Sequence, residues 1–460
     1  MARGVLVVSG VNIGSNRVNL CSIGEAYDRD LPIGSFPLSC NANDPAFLKL
    51  RLTPPVVQEA GEHLYKALVE HEPLRDFFVM TNPGAGSGAA PAEFLLYIRT
   101  DVPDAEAFPW EIMYEQKKQF MALDGRWPIA RQVGTTGRPK PLTRFIGATL
   151  RMAVVLAAAQ ENGATEWAGI AAAIDAHEVP VDLLVIVSEE ATKVAVEANA
   201  ADWKAKALPR TVTVQFAADA DTLMQALRAH VPNIVHFFCH GQSEGESFLE
   251  VESRADRRAK KASGSIQLKT TTLGILGQIQ ALWLVVLNCC KGGSATPQLH
   301  SMAREIVAAN VPAVAAMRES VDVSDANVFS EHFYGGLLPQ LKATFALVLK
   351  APAKTLKFQE IVWVRAMHRA RRELIKGDRK PESSVQWTYP VLYVHRDDLE
   401  LAHRELNPLS QDQRVELLAE VDMMRALRST YDLTQDPEAP EQIAKLDVRI
   451  REIEQLLATG

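Results

Sequence analysis

The chain has 460 residues, which is more than one hydrophobic core usually holds, so two or three structural units are expected. Hydrophobic residues make up 47% of it and charged residues 23%, a balance that excludes a disordered chain. The net charge of -7 argues against a nucleic-acid-binding surface, because neutralising phosphates requires an excess of clustered Lys and Arg.

Cysteine usage and hydropathy bear on the compartment. The 5 cysteines, an odd number spread over a long chain, favour a reducing compartment over a disulfide scaffold. The N-terminal apolar run is too short for a secretion signal, and no stretch reaches the roughly 20 apolar residues of a membrane helix. The sequence therefore predicts a cytoplasmic protein with no membrane segment.

Residues 1–149 mix short extended segments with one helix. Apolar and β-branched runs predict strands at 47–52 and 93–99, and helical spacing of apolar residues predicts a helix at about 56–71. A segment rich in Pro and Gly then ends at Arg138-Pro-Lys-Pro141. We expect an N-terminal α+β subdomain, 1–149, packed on the sheet that follows.

From residue 150 the sequence alternates buried-type strands with amphipathic stretches. Strands are predicted at 151–158, 182–188, 212–217, 234–239, 282–288 and 313–317. Helices are predicted at 165–177, 191–206, 219–230 and 298–310. This alternation is typical of an α/β domain with an open, mostly parallel sheet flanked by helices, and we place it at residues 150–400.

The remaining segments are one charged run inside the sheet region and the residues after the sheet. The run at 253–264 predicts a mobile surface loop, which is either a cleavage segment that activates the protein or an ordinary solvated loop. A helix at 354–376 leads to a closing strand at 387–394. Residues 405–460 predict a C-terminal helical hairpin that packs on the same chain or, as the less favoured alternative, docks a partner.

Two predicted strands end in residues that can carry out chemistry. One leads into a turn at His240-Gly241, and the other leads to Cys290, which glycines follow. Side chains beyond the carboxyl ends of parallel strands meet at one edge of the sheet. An imidazole near a thiol stabilises the reactive thiolate and later protonates the leaving amine. We therefore predict His240 as general base, Cys290 as nucleophile, and the backbone N–H groups of Gly241 and Cys290 as oxyanion donors.

The two blocks resemble those of a protease family. His240 and Cys290 lie 50 positions apart, as in caspases, and Asn288-Cys-Cys-Lys-Gly292 resembles the caspase signature. With Ile234-Val-His-Phe-Phe-Cys-His-Gly241 they resemble more closely the CHAT family, bacterial caspase-like relatives that include separase-like peptidases. The resemblance covers about residues 45–395.

The resemblance implies an activity, a mode of regulation and a biological role for the protein. It implies a caspase-like fold and a cysteine endopeptidase that hydrolyses protein substrates without a metal or other cofactor. It further implies a latent enzyme, which a regulatory protein partner or a cleavage switches on, in bacterial defence or regulated cell death. Two departures bear on reactivity, because Cys289 replaces a usually small residue and Gly292 stands where Ser or Thr is common.

Each candidate has a structural alternative. Cys290 taken alone would be a buried core cysteine, and only the two blocks together favour the nucleophile. Cys289 points to the opposite face of an extended strand and is expected to pack in the sheet, as is Cys239. His236 lies on the same side of its strand as His240, and we interpret it as a hydrogen-bonded core residue rather than one that orients the site.

Substrate preference is open at this level. Asp322 or Asp325 would pair a basic side chain of the substrate, which the separase-like resemblance favours, whereas Arg318 would select an acidic one. Ordinary solvent exposure of these charges is an equal alternative. Trp110 and Glu111 would line the cleft or, as we prefer, anchor the core between subdomains.

Two other functions compete with the peptidase. The first is a catalytically silent caspase-like docking module that binds a protein partner through the hairpin. The second is a nucleotide-binding α/β domain, which the lack of a phosphate-binding glycine motif after the first core strand disfavours.

Overall fold

The structure is a computed structural model. It describes residues 2–12, 17–23, 31–37, 57–69, 75, 94–100, 109–115, 119–125, 127–133, 142–244, 246–290, 299–319, 321–350, 363–375, 380–395, 399–403, 411–432 and 439–459.

The strands in these residues are β1 (Ala2–Asn12), β2 (Arg17–Ile23), β3 (Leu31–Pro37), β4 (Phe94–Thr100), β5 (Tyr114–Glu115), β6 (Gln119–Phe120), β7 (Ile129–Val133), β8 (Leu142–Ile146), β9 (Leu150–Leu156), β10 (Val181–Val187), β11 (Arg210–Phe216), β12 (Ile234–Glu244), β13 (Glu246–Val251), β14 (Ile266–Lys269), β15 (Leu284–Cys290), β16 (Ala313–Met317), β17 (Pro390–His395) and β18 (Leu399–His403). The α-helices are α1 (Val57–Val69), α2 (Gly163–His177), α3 (Glu190–Ala205), α4 (Ala220–His230), α5 (Arg254–Arg258), α6 (Thr270–Gly274), α7 (Leu299–Ala308), α8 (Val323–Lys350), α9 (Trp363–Glu373), α10 (Gln411–Asp432) and α11 (Ala439–Thr459).

One large mixed sheet organises the described part of the chain. Its order is β11-β10-β9-β12-β15-β16-β17-β7-β4-β1-β2-β3, and β13 and β14 branch from β12. The six strands from β11 to β16 are parallel, β17 is antiparallel to β16, and β7, β4 and β1 run parallel to β17. The predicted α/β class with an open, mostly parallel sheet flanked by helices is therefore confirmed.

Alternation along each central strand divides the core into two layers. On the front face, side chains such as Phe238 and Val286 pack against α2, α8 and α9. On the back face, side chains such as Phe237 and Leu287 pack against α4, α6 and α7. Strands covered on both faces need apolar residues at odd and at even positions alike. This requirement produces the continuous apolar runs of the sequence.

Several predicted elements differ from the observed ones. The region before residue 150 contributes β4 and β7 to the same sheet, through pairing with β17, rather than packing on it. The closing strand begins only at Pro390, after a 3-10 turn at Gln386–Thr388, because the proline lacks the N–H that a longer strand would use. The predicted strand at 47–52 and the first part of the helix at 354–376 lie outside the described residues. The unit boundaries at 149 and 400 stay predictions.

The charged run at 253–264 is more ordered than the predicted loop. Its start forms the helix α5, capped by a reciprocal pair in which Ser253 accepts from the backbone of Asp256 and Asp256 accepts from Ser253. Burial alone would raise the pKa of Asp256, but hydrogen bonds from Lys261, Ser265 and Ser253 outweigh it and lower the pKa. The sequence Ser-x-x-Asp is a capping box, so a signal for this helix was present in the sequence.

The C-terminal hairpin of α10 and α11 packs on the amino-end side of the sheet. Leu418, Val421 and Ile453 form a small apolar cluster with Ala229 of α4, and Arg228 forms an ion pair with Asp422 at 3.4 Å. A cavity of about 670 Å³ lies beside this contact and is lined by Phe145, Arg228, Gln280, Asn310, Leu418 and Leu457.

None of the helices in the described ranges is long and apolar enough to cross a membrane.

A buried charge cluster joins the first part of the chain to the sheet. Glu111 accepts two hydrogen bonds from Arg131 of β7, at 3.1 and 2.8 Å, and lies 3.7 Å from Arg371 of α9. Arg371 also donates to the carbonyl oxygens of Ile129 and Pro390. Burial alone would raise the pKa of Glu111, but the charges of Arg131 and Arg371 outweigh it and hold the pKa below its ordinary value. Glu111 is thus a core anchor, as the preferred interpretation predicts.

We expect Glu111→Ala to lower the free energy of unfolding by about 3–5 kcal/mol at pH 7, because it leaves two buried guanidinium groups without their counter-charge. A carboxylate with a lowered folded-state pKa stabilises the fold above its unfolded pKa, and the contribution is lost as the pH falls below about 4.3. Urea unfolding at pH 7 and pH 3.5 measures both effects. Glu190→Ala, which removes an exposed carboxylate on α3, is the control; equal losses for the two variants would contradict the anchor role.

Candidate active site

The two predicted catalytic positions are neighbours in the sheet. β12 and β15 are parallel, and their register makes His240 the Cα partner of Cys290. Partner residues of adjacent strands lie about 5 Å apart with their side chains on the same face of the sheet. Cys290 is the last residue of β15, and its side chain lies outside the described part of the chain.

The backbone of the protein orients the His240 ring. The imidazole is only 4% exposed, and its Nε2 atom lies 2.8 Å from the carbonyl oxygen of Ala159, which follows β9. A carbonyl oxygen can only accept a hydrogen bond, so Nε2 must carry the proton. In the neutral ring the lone pair is therefore on Nδ1, and Nδ1 is the basic nitrogen.

The strand that carries His240 does not end where the sequence predicts. β12 continues through Gly241 to Glu244 and folds back as an antiparallel hairpin with β13, in which His240 pairs with Glu250 and Gly241 with Leu249. The predicted turn at His240-Gly241 is therefore wrong, because the polar residues after Gly241 have a partner strand that prolongs the extended backbone. Gly241 is buried within a strand next to His240.

Two neighbouring cysteines lie on the back face. Cys239 and Cys289 are Cα partners of each other, are both buried, and belong to the apolar layer beneath α4, α6 and α7. Because side chains alternate along a strand, this arrangement separates them from the face that carries His240. Both residues are packed in the sheet, as the alternation predicts.

A fully buried polar network lies on the front face beneath His240. His236 contacts Glu166 of α2 through Nε2, at 3.0 Å, and the Tyr334 hydroxyl through Nδ1, at 3.1 Å. Asn288, two residues before Cys290, donates from Nδ2 to Glu166 at 2.9 Å and to Ser330 of α8 at 2.9 Å. The network ties β12 and β15 to α2 and α8, so His236 is the hydrogen-bonded core residue that we preferred.

The predicted specificity residues are not equivalent in the structure. Asp322 is exposed just before α8, whereas Asp325 in the first turn of that helix and Arg318 after β16 are each 3% exposed. Burial lowers the pKa of Arg318. A substrate side chain can reach only a charge that is accessible, so the geometry favours Asp322 over Asp325 and Arg318.

Sequence reasoning missed the carbonyl that holds His240 and the polar network beneath it. The Ala159 carbonyl is a backbone group, and its orientation cannot be inferred from the type of residue. Glu166 and Asn288 were readable only as polar residues in apolar surroundings, which is the one signal that could have singled them out.

We expect Asn288→Ala to lower the free energy of unfolding by about 2 kcal/mol or more, because it removes a donor from the buried Glu166 carboxyl. Denaturant unfolding measures the loss. Asn199→Ala is a matched control, since Asn199 accepts a single bond from Trp167 at a half-buried position. A loss no larger than that of the control would show that the network does not hold the strands.

The chain is similar to one domain family in sequence and to two solved structures in fold. A model of the CHAT domain matches residues 58–395, which is more than half of the chain. No curated protein matches the sequence. Two crystal structures of the Saccharomyces cerevisiae separase-securin complex, at 2.6 and 3.0 angstrom resolution, match with 11% and 10% identity and a TM-score of 0.30 each. Each match covers 74% of this chain, and this chain spans 17% of the length of the matched one.

Proposed function

This chain belongs to the CHAT domain family, and we propose that it is a cysteine endopeptidase with His240 as general base and Cys290 as nucleophile. Its fold is of the caspase-like protease type. The observation that carries the proposal is the β12–β15 register, which makes His240 and Cys290 Cα partners at the carboxyl end of the parallel pairing of these two strands.

The proposed reaction uses both ring nitrogens of His240. Nδ1 takes the proton of the Cys290 thiol, and the thiolate attacks the scissile carbonyl carbon of the substrate. The imidazolium keeps its Nε2–H bond to Ala159, and a charged donor strengthens this bond. His240 then protonates the leaving amine, and a water molecule hydrolyses the acyl-enzyme.

The oxyanion of the tetrahedral intermediate needs donors near the attacking sulfur. We assign this role to the backbone N–H groups of Gly241 and Cys290, because Cys290 is the last residue of the β12–β15 pairing and Gly241 directly follows its last residue on β12. No metal or other cofactor takes part in the proposed steps.

The proposed substrates are proteins, with cleavage after a basic residue. Asp322 is the preferred partner of that side chain because it is exposed, and Asp325 is the second candidate. A nucleic-acid or membrane substrate is not part of the proposal, since the net charge is negative.

We further propose that a regulatory protein partner controls the enzyme, in bacterial defence or regulated cell death. The hairpin supports a docking role because Val415, Met423, Leu427 and Val448 are exposed on it. The same exposed side chains favour the second candidate function, a catalytically silent docking module.

Cleavage of a mixed peptide library, with cut sites identified by mass spectrometry, tests the activity. We expect the wild type to cut after one residue class and Cys290→Ala to be slower by roughly 10³-fold or more. Cys289→Ala is the matched control: it removes the neighbouring thiol on the back face and should keep its activity.

Alkylation of Cys290 by iodoacetamide at pH 7 tests the dyad without a substrate. We expect His240→Ala to slow this reaction by roughly tenfold, because an ordinary thiol with a pKa near 8.5 is only a few per cent ionised at that pH. If no peptide is cut but the rate depends on His240, the enzyme is latent. If His240→Ala leaves the rate unchanged, the dyad is refuted and the docking module is the better account.

A further inference from the structure

The carbonyl that orients His240 belongs to a tight turn. Residues 158–161 form a β-turn closed by a bond from the Glu161 N–H to the Ala158 carbonyl, at 3.2 Å. Its third residue, Gln160, has a φ of 64°, a left-handed conformation that costs a residue other than glycine about 1 kcal/mol. The side chain of Gln160 is exposed, so its own contacts do not account for the conformation.

The left-handed residue determines where the Ala159 carbonyl points. A positive φ at the third position is the geometry of a type II turn, and the more common type I turn has its central peptide rotated by roughly 150°. The central peptide of this turn carries the Ala159 carbonyl. Rotation to type I would therefore direct this oxygen away from His240 and remove the acceptor that fixes Nε2 as the protonated nitrogen.

One guanidinium group clamps the end of this turn. Arg257 of α5 donates from Nη2 to the Glu161 carbonyl at 2.7 Å and from Nε contacts the Glu252 carboxylate at 2.8 Å. Glu252 is buried and accepts a 2.6 Å bond from Ser188. Arg257 therefore links the turn after β9 to a carboxylate anchored between β10 and β13.

Arg257 lies on helix α5, and the start of that helix fixes its position. The Ser253–Asp256 capping box begins the helix immediately after Glu252, and the Arg254 N–H donates to the Ala217 carbonyl at 2.9 Å. The neighbouring Arg258 is exposed, so these two adjacent arginines have different surroundings.

We propose that Arg257 is a positioning residue for His240, acting through the turn 158–161 whose Ala159 carbonyl holds the ring. The inference rests on the proposed peptidase function. In this account the clamp keeps the central peptide in its left-handed form, and His240 keeps Nδ1 as its basic nitrogen. The charged run 253–264 then serves the site through Arg257.

The first test compares Arg257→Ala with Arg258→Ala. We expect Arg257→Ala to reduce kcat by roughly 10- to 100-fold with little change in KM, as a misplaced catalytic group does, and to slow Cys290 alkylation by roughly tenfold. Arg258→Ala removes the same charge one residue away and should match the wild type. Arg257→Lys keeps the charge but lacks the fork that spans Glu252 and Glu161, so it should remain slow.

A double-mutant cycle on alkylation separates positioning from loss of fold and from failure of the dyad. In a His240→Ala background we expect Arg257→Ala to have no further effect on the rate. If His240→Ala alone leaves the wild-type rate unchanged, the peptidase proposal fails. If His240→Ala slows alkylation but Arg257→Ala does not, or if Arg257→Ala slows it equally without His240, only the positioning role is refuted.

The ring tautomer gives a readout that does not depend on cleavage. In protein with ¹⁵N-labelled histidine, NMR should show His240 with its proton on Nε2 in the wild type and in Arg258→Ala, and a second population with the proton on Nδ1 in Arg257→Ala. An unchanged tautomer in Arg257→Ala would overturn the proposal.

Two substitutions at Gln160 test the role of the turn 158–161 independently of Arg257. This test is needed if Arg257→Ala does not fold. Glycine accepts a φ of 64° without strain, whereas a β-branched residue disfavours it. We therefore expect kcat to be at least roughly fivefold lower in Gln160→Val than in Gln160→Gly. Equal kcat values in the two variants would show that the turn does not transmit the effect.

Discussion

The register between β12 and β15 is the constraint on which the candidate site depends. A shift of one residue would make Cys289 the partner of His240 and turn the Cys290 position to the opposite face, and no local adjustment would restore the pair. The register is enforced because the front-face helices supply polar partners that the described residues of the back-face helices do not. The front face carries the polar network of Glu166, His236 and Asn288, and the back face carries Cys239 and Cys289 against apolar helices.

Two buried polar clusters join segments that are distant in the sequence. The Glu111 cluster joins the first part of the chain to β7, α9 and β17, and the Glu166 cluster joins α2 and α8 to the two strands of the site. Apolar contacts tolerate small displacements, whereas a buried carboxylate loses several kcal/mol when a donor moves away. The clusters therefore fix the relative positions of elements that hydrophobic packing alone would leave less specific.

The sequence was sufficient for the elements whose signal is local. Apolar runs and helical spacing predicted β9, β10, β12, β15 and β16 to within a few residues at most boundaries, and the two strand ends singled out His240 and Cys290 as a hypothesis. The continuation of β12 into a hairpin was missed because its polar residues gain a partner only from β13. The Ala159 carbonyl and the left-handed Gln160 were missed because backbone orientation depends on tertiary contacts and leaves no pattern in residue types.

The position of the helical hairpin has a consequence for any control of the site. The cavity beside α10 and α11 is lined in part by residues that precede β12, β15 and β16, whereas His240 and Cys290 lie at the far end of the β12–β15 pairing. Seven residues of strand span about 23 Å, so a small molecule held in this cavity would not touch the dyad. Its influence on the site would be allosteric, with a coupling free energy transmitted through the sheet. By reciprocity, the factor by which it changed the affinity of the site for substrate would equal the factor by which bound substrate changed its own affinity for the hairpin.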